Sequence, residues 1–124
     1  MRKVEEITIG YIEDYYEEVY ERLACQLSVA VSETLAKCKD ENLDSCEIKI
    51  DERFAQDLSD YLISYWFFDG RNELIEDIIK NRTVQEVFND EGDWQIKYSG
   101  NYCHSNKGIG WWYEVSFRLI KREG

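Results

Sequence analysis

Few residues of this chain could do covalent or metal chemistry: it has one histidine and four cysteines. Cys103 and His104 are neighbours, and a thiol beside an imidazole is the raw material of a nucleophile and its base. Adjacent residues on an extended segment diverge, however, and a working Cys–His dyad is assembled from positions far apart in sequence. The pair reads as part of a hairpin tip, and no catalytic residue is assigned. A closed zinc site asks for four ligands at short paired spacings. Cys38 and Cys46 are eight apart and Cys25 falls on a helical stretch, so no metal ligand is assigned and no cofactor is expected. Lys107-Gly108-Ile109-Gly110 has the glycines of a phosphate-cradling loop, but it precedes a strand instead of opening a helix, which makes it a turn. With 26 acidic residues, carboxylate pairs arise by chance, and none is set in an apolar context that would raise its pKa. The expectation is a protein that is not an enzyme.

Charge and aromatic rings carry the remaining signal. Across 124 residues, 26 acids against 15 bases give a formal net charge of −11. The imbalance is local: residues 1–90 hold 22 acids and 10 bases, net −12, whereas residues 91–124 hold 4 acids and 5 bases, net +1. Acids are densest at Glu13, Asp14, Glu17, Glu18 and Glu21, interleaved with Tyr11, Tyr15, Tyr16 and Tyr20. One reading is a solvated helix face whose tyrosines are core and whose early glutamates are favoured by the helix dipole. The other is a partner surface, with Glu13, Glu17 and Glu21 supplying a negative field and Tyr16 and Tyr20 acting as amphipathic anchors for a basic protein. Such a partner would itself bind nucleic acid, and a row of carboxylates can occupy a groove built for phosphates. The sign of the charge disfavours direct binding to nucleic acid or to an anionic membrane.

Adjacent aromatics make a second, geometric signal. Neighbours on a strand point to opposite faces, so if Trp111 faces the core with Tyr113 and Val115, Trp112 faces outward. Trp66, Phe67 and Phe68 on a helix sweep about 200° of its circumference, wider than one core stripe. Either both faces are covered within one chain, or the outlying rings belong to an interface. Trp66, Trp111, Trp112 and Tyr98 are the candidates. They also support an alternative function: a small-molecule-binding domain with a pocket between the C-terminal hairpin and the helices, where Trp111 or Trp112 and Tyr98 stack on a ring.

These side chains need elements to position them. Apolar residues at Ile12, Tyr15, Tyr16, Val19, Leu23, Leu27, Ala30, Val31 and Leu35 draw one stripe on a helix from Tyr11 to about Cys38. About 28 residues at 1.5 Å each would span roughly 42 Å, against a radius of gyration near 14 Å for a globule of this length. That helix must break, protrude or pack against a second copy, so a homo-oligomer is expected. Before it, Ile7 and Ile9 alternate and end at Gly10, which reads as a short strand or ordered arm. Cys46–Ile50 alternates as a half-buried strand. Asp51 can cap a helix through Phe54, Leu58, Tyr61, Leu62, Tyr65 and Trp66, stopped at Asp69-Gly70. Another helix follows Asn72 with Leu74, Ile75, Ile78 and Ile79 inward, and Thr83-Val84-Gln85-Glu86 has the form of a capping box opening a short helix that ends near Gly92. Two strands follow, around Trp94–Tyr98 and Trp111–Leu119, with Ser99-Gly100-Asn101 and Ser105-Asn106-Lys107-Gly108 as turn residues between them.

The fold class is therefore α+β: a long N-terminal helix and two or three further helices on one face of a small, mainly antiparallel sheet that ends in a C-terminal β-hairpin. No proline, repeat or Gly/Ser-rich stretch marks a linker, so residues 1–124 form a single domain. The N-terminus has no apolar run behind Arg2 and Lys3, and the most apolar stretch, Tyr61 to Phe68, is too short to span a bilayer. The expectation is a soluble cytoplasmic protein with four free thiols. Its general profile is similar in composition to small inhibitors and accessory proteins of phages and other mobile elements, some of which block nucleases. No motif carries that likeness to individual residues. The leading functional expectation is a small acidic interaction protein that engages a basic protein surface, as an inhibitor or nucleic-acid mimic would.

Overall fold

A computed structural model describes residues 4–64, 71–89, 92–104 and 111–122, without the side chains of residues 4–16, Ser64, Arg71, Tyr102, His104 and Trp111. Among the described residues the chain forms four α-helices and one three-stranded antiparallel sheet: α1 (Val4–Glu41), β1 (Ser45–Ile48), α2 (Glu52–Ser64), α3 (Arg71–Lys80), α4 (Arg82–Gln85), a 3₁₀ turn (Glu86–Phe88), β2 (Trp94–His104) and β3 (Trp111–Lys121). This is the α+β architecture expected from the alternation of helical and strand periods.

Helix α1 is one unbroken run of 38 residues, about 57 Å at 1.5 Å per residue. The short strand expected over Val4 to Ile9 is absent: those residues and Gly10 are the first turns of α1. Extending a helix that already exists adds one hydrogen bond per residue without a new nucleus, which offsets the roughly 1 kcal/mol that glycine costs relative to alanine. From Val19 onward the apolar stripe faces inward, with Leu23, Leu27 and Val31 fully buried. The helix stops at Asn42, which adopts the left-handed conformation (φ 56°), while Leu43 N–H donates to the Cys38 carbonyl at 2.8 Å. That bond closes a Schellman turn with asparagine in the place glycine usually takes.

The caps of the later helices fall partly where the sequence puts them. Asp51 caps α2, its carboxylate accepting from Phe54 N–H at 2.7 Å. At α4 the expected Thr83–Glu86 capping box does not form. Asn81 is the cap, accepting from Thr83 N–H at 2.9 Å, and Glu86 instead pairs with Arg82 at 2.8 Å. Asparagine is as strong a cap as threonine or stronger, and here it starts the helix two residues earlier. The following 3₁₀ turn ends at Asn89 (φ 50°), short of Gly92.

In the sheet β3 is central, flanked by β1 and β2. The register sets Ile48, Phe117 and Tyr98 in one row and Cys46, Leu119 and Ile96 in another, all toward the helices. Phe117 is 2% exposed and packs on Phe54 of α2, ring centroids 6.1 Å apart. Trp112, Glu114, Ser116 and Arg118 alternate outward and are exposed. Ser99-Gly100-Asn101 is no turn: β2 runs straight through it, with Gly100 opposite Val115. A Cβ at position 100 would lie 3.3 Å from the Tyr113 ring and 3.8 Å from Ile75, so this glycine makes room where a turn was expected. The tip expected around Ser105–Gly108 and the helix end at Asp69-Gly70 lie outside the described residues.

Candidate functional site

The acidic helix face is built where α1 meets α3. Glu17, Glu18 and Glu21 are exposed, whereas Tyr20 between them is half-buried. Its hydroxyl donates to the backbone carbonyl of Asp77 at 3.1 Å. The ring expected to anchor a partner therefore ties α1 to α3. The same bond brings a second row of acids beside the first: Asp77 is exposed, and so is Glu73, one turn before it on the same face. Among the described residues no cation lies within ion-pair distance of Glu17, Glu18, Glu21, Glu73 or Asp77; the ion pairs present are Arg22–Asp57 at 3.9 Å and Arg82–Glu86. Glu13 and Tyr16 lie on the same helix, their side chains outside the described residues.

Of the candidate aromatics, the two described side chains, Tyr98 and Trp112, are not brought together. Trp112 is 39% exposed on the outer face of the sheet, its indole N–H donating to Glu114 at 3.0 Å. Tyr98 is on the opposite, helix-facing side, where its hydroxyl donates to Glu76 of α3 at 2.9 Å. Desolvation, then the hydrogen bond to Glu76 and that carboxylate's charge, raises the Tyr98 phenol above its ordinary pKa. Strand parity puts positions 98 and 112 on different faces, so Tyr98 and Trp112 do not wall one pocket. Trp66 and the Trp111 side chain lie outside the described residues.

A different hollow exists between α2 and β3. The sheet pairs β1 with β3 only over Phe117–Ile120, so the stretch of β3 before Phe117 has no strand on that side. Helix α2 covers this edge, and the buried Ser59 hydroxyl accepts from Tyr113 N–H at 2.9 Å in place of a strand carbonyl. Beside that contact a cleft of about 570 Å³ opens, with Glu52 and Gln56 on one wall and Trp112, Glu114 and Val115 on the other. No sequence signal points to Ser59, since its role depends on where β1 ends.

Two of the thiols, Cys38 and Cys103, are shifted away from activation. Desolvation, followed by the neighbouring Glu114 carboxylate, raises the pKa of the half-buried Cys103 thiol, the opposite of what a nucleophile needs. Burial raises that of Cys38, and Cys46 beside it adds to the effect. The four cysteines are unbridged. Among the described residues no three His, Cys, Asp or Glu side chains are grouped to hold a metal ion, and no helix is long and apolar enough to cross a membrane.

Fold and site together define an α+β protein with an acidic two-helix face and a cleft at a half-open sheet edge. No protein-family profile, curated protein or solved structure matches the chain.

Proposed function

We propose that this chain is a small, acidic, non-enzymatic interaction protein that engages a basic protein surface through the side of its helical layer formed by α1 and α3. The observation that carries the reading is the meeting of two rows of exposed carboxylates, Glu17 and Glu21 with Glu73 and Asp77, across the Tyr20–Asp77 bond. Like charges side by side destabilise a fold, and among the described residues no basic side chain is within ion-pair distance of these. A partner surface of opposite sign would. A groove lined with lysine and arginine for phosphates fits that chemistry, which makes inhibition of a nucleic-acid-binding protein by mimicry the form of action. Direct binding of nucleic acid or an anionic membrane is disfavoured by a net charge of −11. The proposal includes a cytoplasmic setting, in which the four thiols stay reduced, and self-association through α1, whose length of about 57 Å exceeds what one globule of this size can cover.

The test is capture from a host lysate at about 50 mM and about 500 mM salt on immobilised wild-type chain and on the triple variant Glu13→Lys, Glu17→Lys, Glu21→Lys. Basic proteins retained by the wild type at low salt, released at high salt and lost with the variant support the reading. Equal retention by both chains overturns it.

A further inference from the structure

We infer that the cleft between α2 and β3 is a receptor for an organic cation, a guanidinium or alkylammonium group. The site is distinct from the acidic helix face and does not depend on it.

The cleft's volume of about 570 Å³ falls within the roughly 300–1,000 Å³ usual for ligand pockets. Two carboxylates, Glu52 and Glu114, line it, and among the described residues no basic side chain does, so its charge favours a cation. Trp112 contributes a broad aromatic surface, and its N–H bond to Glu114 fixes the indole beside the carboxylate. A ring face next to a negative charge is the pairing that attracts a cation by both its quadrupole and its Coulomb field. The backbone adds acceptors. Tyr113 N–H points toward α2 and Lys121 N–H toward Asp44, so odd positions of β3 direct their peptide groups to this side of the strand. Val115 turns its N–H and C=O the same way, beyond the end of β1, and among the described residues no hydrogen bond takes them up. Val115 lines the cleft, where its carbonyl is an acceptor that a donor-bearing ligand can use. A guanidinium has five donors in one plane. It can lie on the Trp112 ring, meet the Glu114 carboxylate and reach the Val115 carbonyl. The basic residues Lys97 and Arg118 sit in a separate hollow of about 300 Å³ further along the outer face, so a probe must carry no carboxylate of its own.

The experiment titrates the full chain with N-acetyl-L-arginine amide and, as a neutral isostere, N-acetyl-L-citrulline amide. The readout is the Trp112 indole N–H resonance, assigned by its loss in Trp112→Phe. A third arm uses an acetylated, amidated Gly-Arg-Gly peptide. Saturable shifts with the arginine probe, binding at least about tenfold weaker with citrulline, and a similar loss in Glu114→Gln support the inference. Glu114→Gln keeps an acceptor for the indole on an exposed position, and an unchanged thermal melt confirms its fold. Binding of both arginine probes assigns a site for the free group, and binding of the peptide alone assigns an arginine displayed on a protein chain; both support a cation receptor. Equal binding of arginine and citrulline, or no shift at millimolar probe, overturns it.

Discussion

Replacing Phe117 by alanine tests the assignment of sheet faces on which the cleft beside β3 depends. The ring sits at the middle of the central strand, 2% exposed, flanked across the strands by Ile48 and Tyr98 and covered by Phe54. Truncating a buried phenylalanine to alanine costs about 3–5 kcal/mol, from lost transfer energy plus the cavity left behind. Stabilities of about 0.05–0.15 kcal/mol per residue put the whole chain near 6–19 kcal/mol, so one ring carries a large share. Unfolding entropies near 2.1 cal/mol/K per residue give about 0.26 kcal/mol/K for this length, and the expected fall in Tm is about 12–19 °C. Ser116, one position earlier and exposed, provides the internal control: Ser116→Ala should change stability by less than about 0.5 kcal/mol. Urea denaturation of both variants, with thermal melts alongside, reads the difference. A Phe117→Ala cost below about 1.5 kcal/mol, or a Ser116→Ala cost of similar size, would refute the parity.

Asp51→Ala removes the α2 cap and should cost about 1 kcal/mol in urea denaturation, with no change if the Phe54 N–H finds another acceptor. Ser59→Ala leaves Tyr113 N–H without its acceptor at a covered edge, for an expected loss of about 1–3 kcal/mol, and hydrogen exchange at Tyr113 should accelerate. The Tyr98 phenol is raised above 10.0 in the fold, so the folded state holds its proton more tightly than the unfolded chain does. That contribution is fully present below pH 10 and is lost as pH rises through the folded-state pKa. Tyr98→Phe should therefore lose less stability than wild type between pH 9 and pH 11, and parallel curves would contradict the linkage. Self-association predicts a light-scattering mass of at least about twice 14.8 kDa at micromolar concentration, against a monomer at every dilution if it is absent.

Periodicity is local information, and what depended on it was legible. The stripe from Val19 to Leu35 defines the buried face of α1, and the alternation of Val115, Phe117 and Leu119 with exposed neighbours defines the two faces of β3. What was not legible depends on residues far away in the chain. Gly100 has the composition of a turn, and only the Tyr113 ring and Ile75 explain why it lies within a strand. Tyr20 looks like a partner anchor until α3 places the Asp77 carbonyl over its hydroxyl. Alternation alone turns Trp112 outward, but that Tyr98 lies on the opposite face follows only from the cross-strand register that pairs it with Phe117. Asn81 and Thr83, two residues apart, are both good caps, and the structure uses Asn81, with Val84 fully buried in the turn that follows.

The central claim is that opposite charge draws a basic protein to the face formed by α1 and α3. It is tested most directly by the association rate of a captured partner as a function of ionic strength, for wild type and for the variant with Lys at positions 13, 17 and 21. Each replacement adds two charges, moving the net from −11 to −5 and the stretch Glu13–Glu21 from −5 to +1. Lysine forms helix as well as glutamate does, so the fold is retained. The account predicts a wild-type rate that falls steeply from about 20 mM to about 500 mM salt and a variant that is slower, with the gap widest at low salt where screening is weakest. A rate indifferent to salt, or a folded variant that associates as fast as the wild type at low salt, would contradict it.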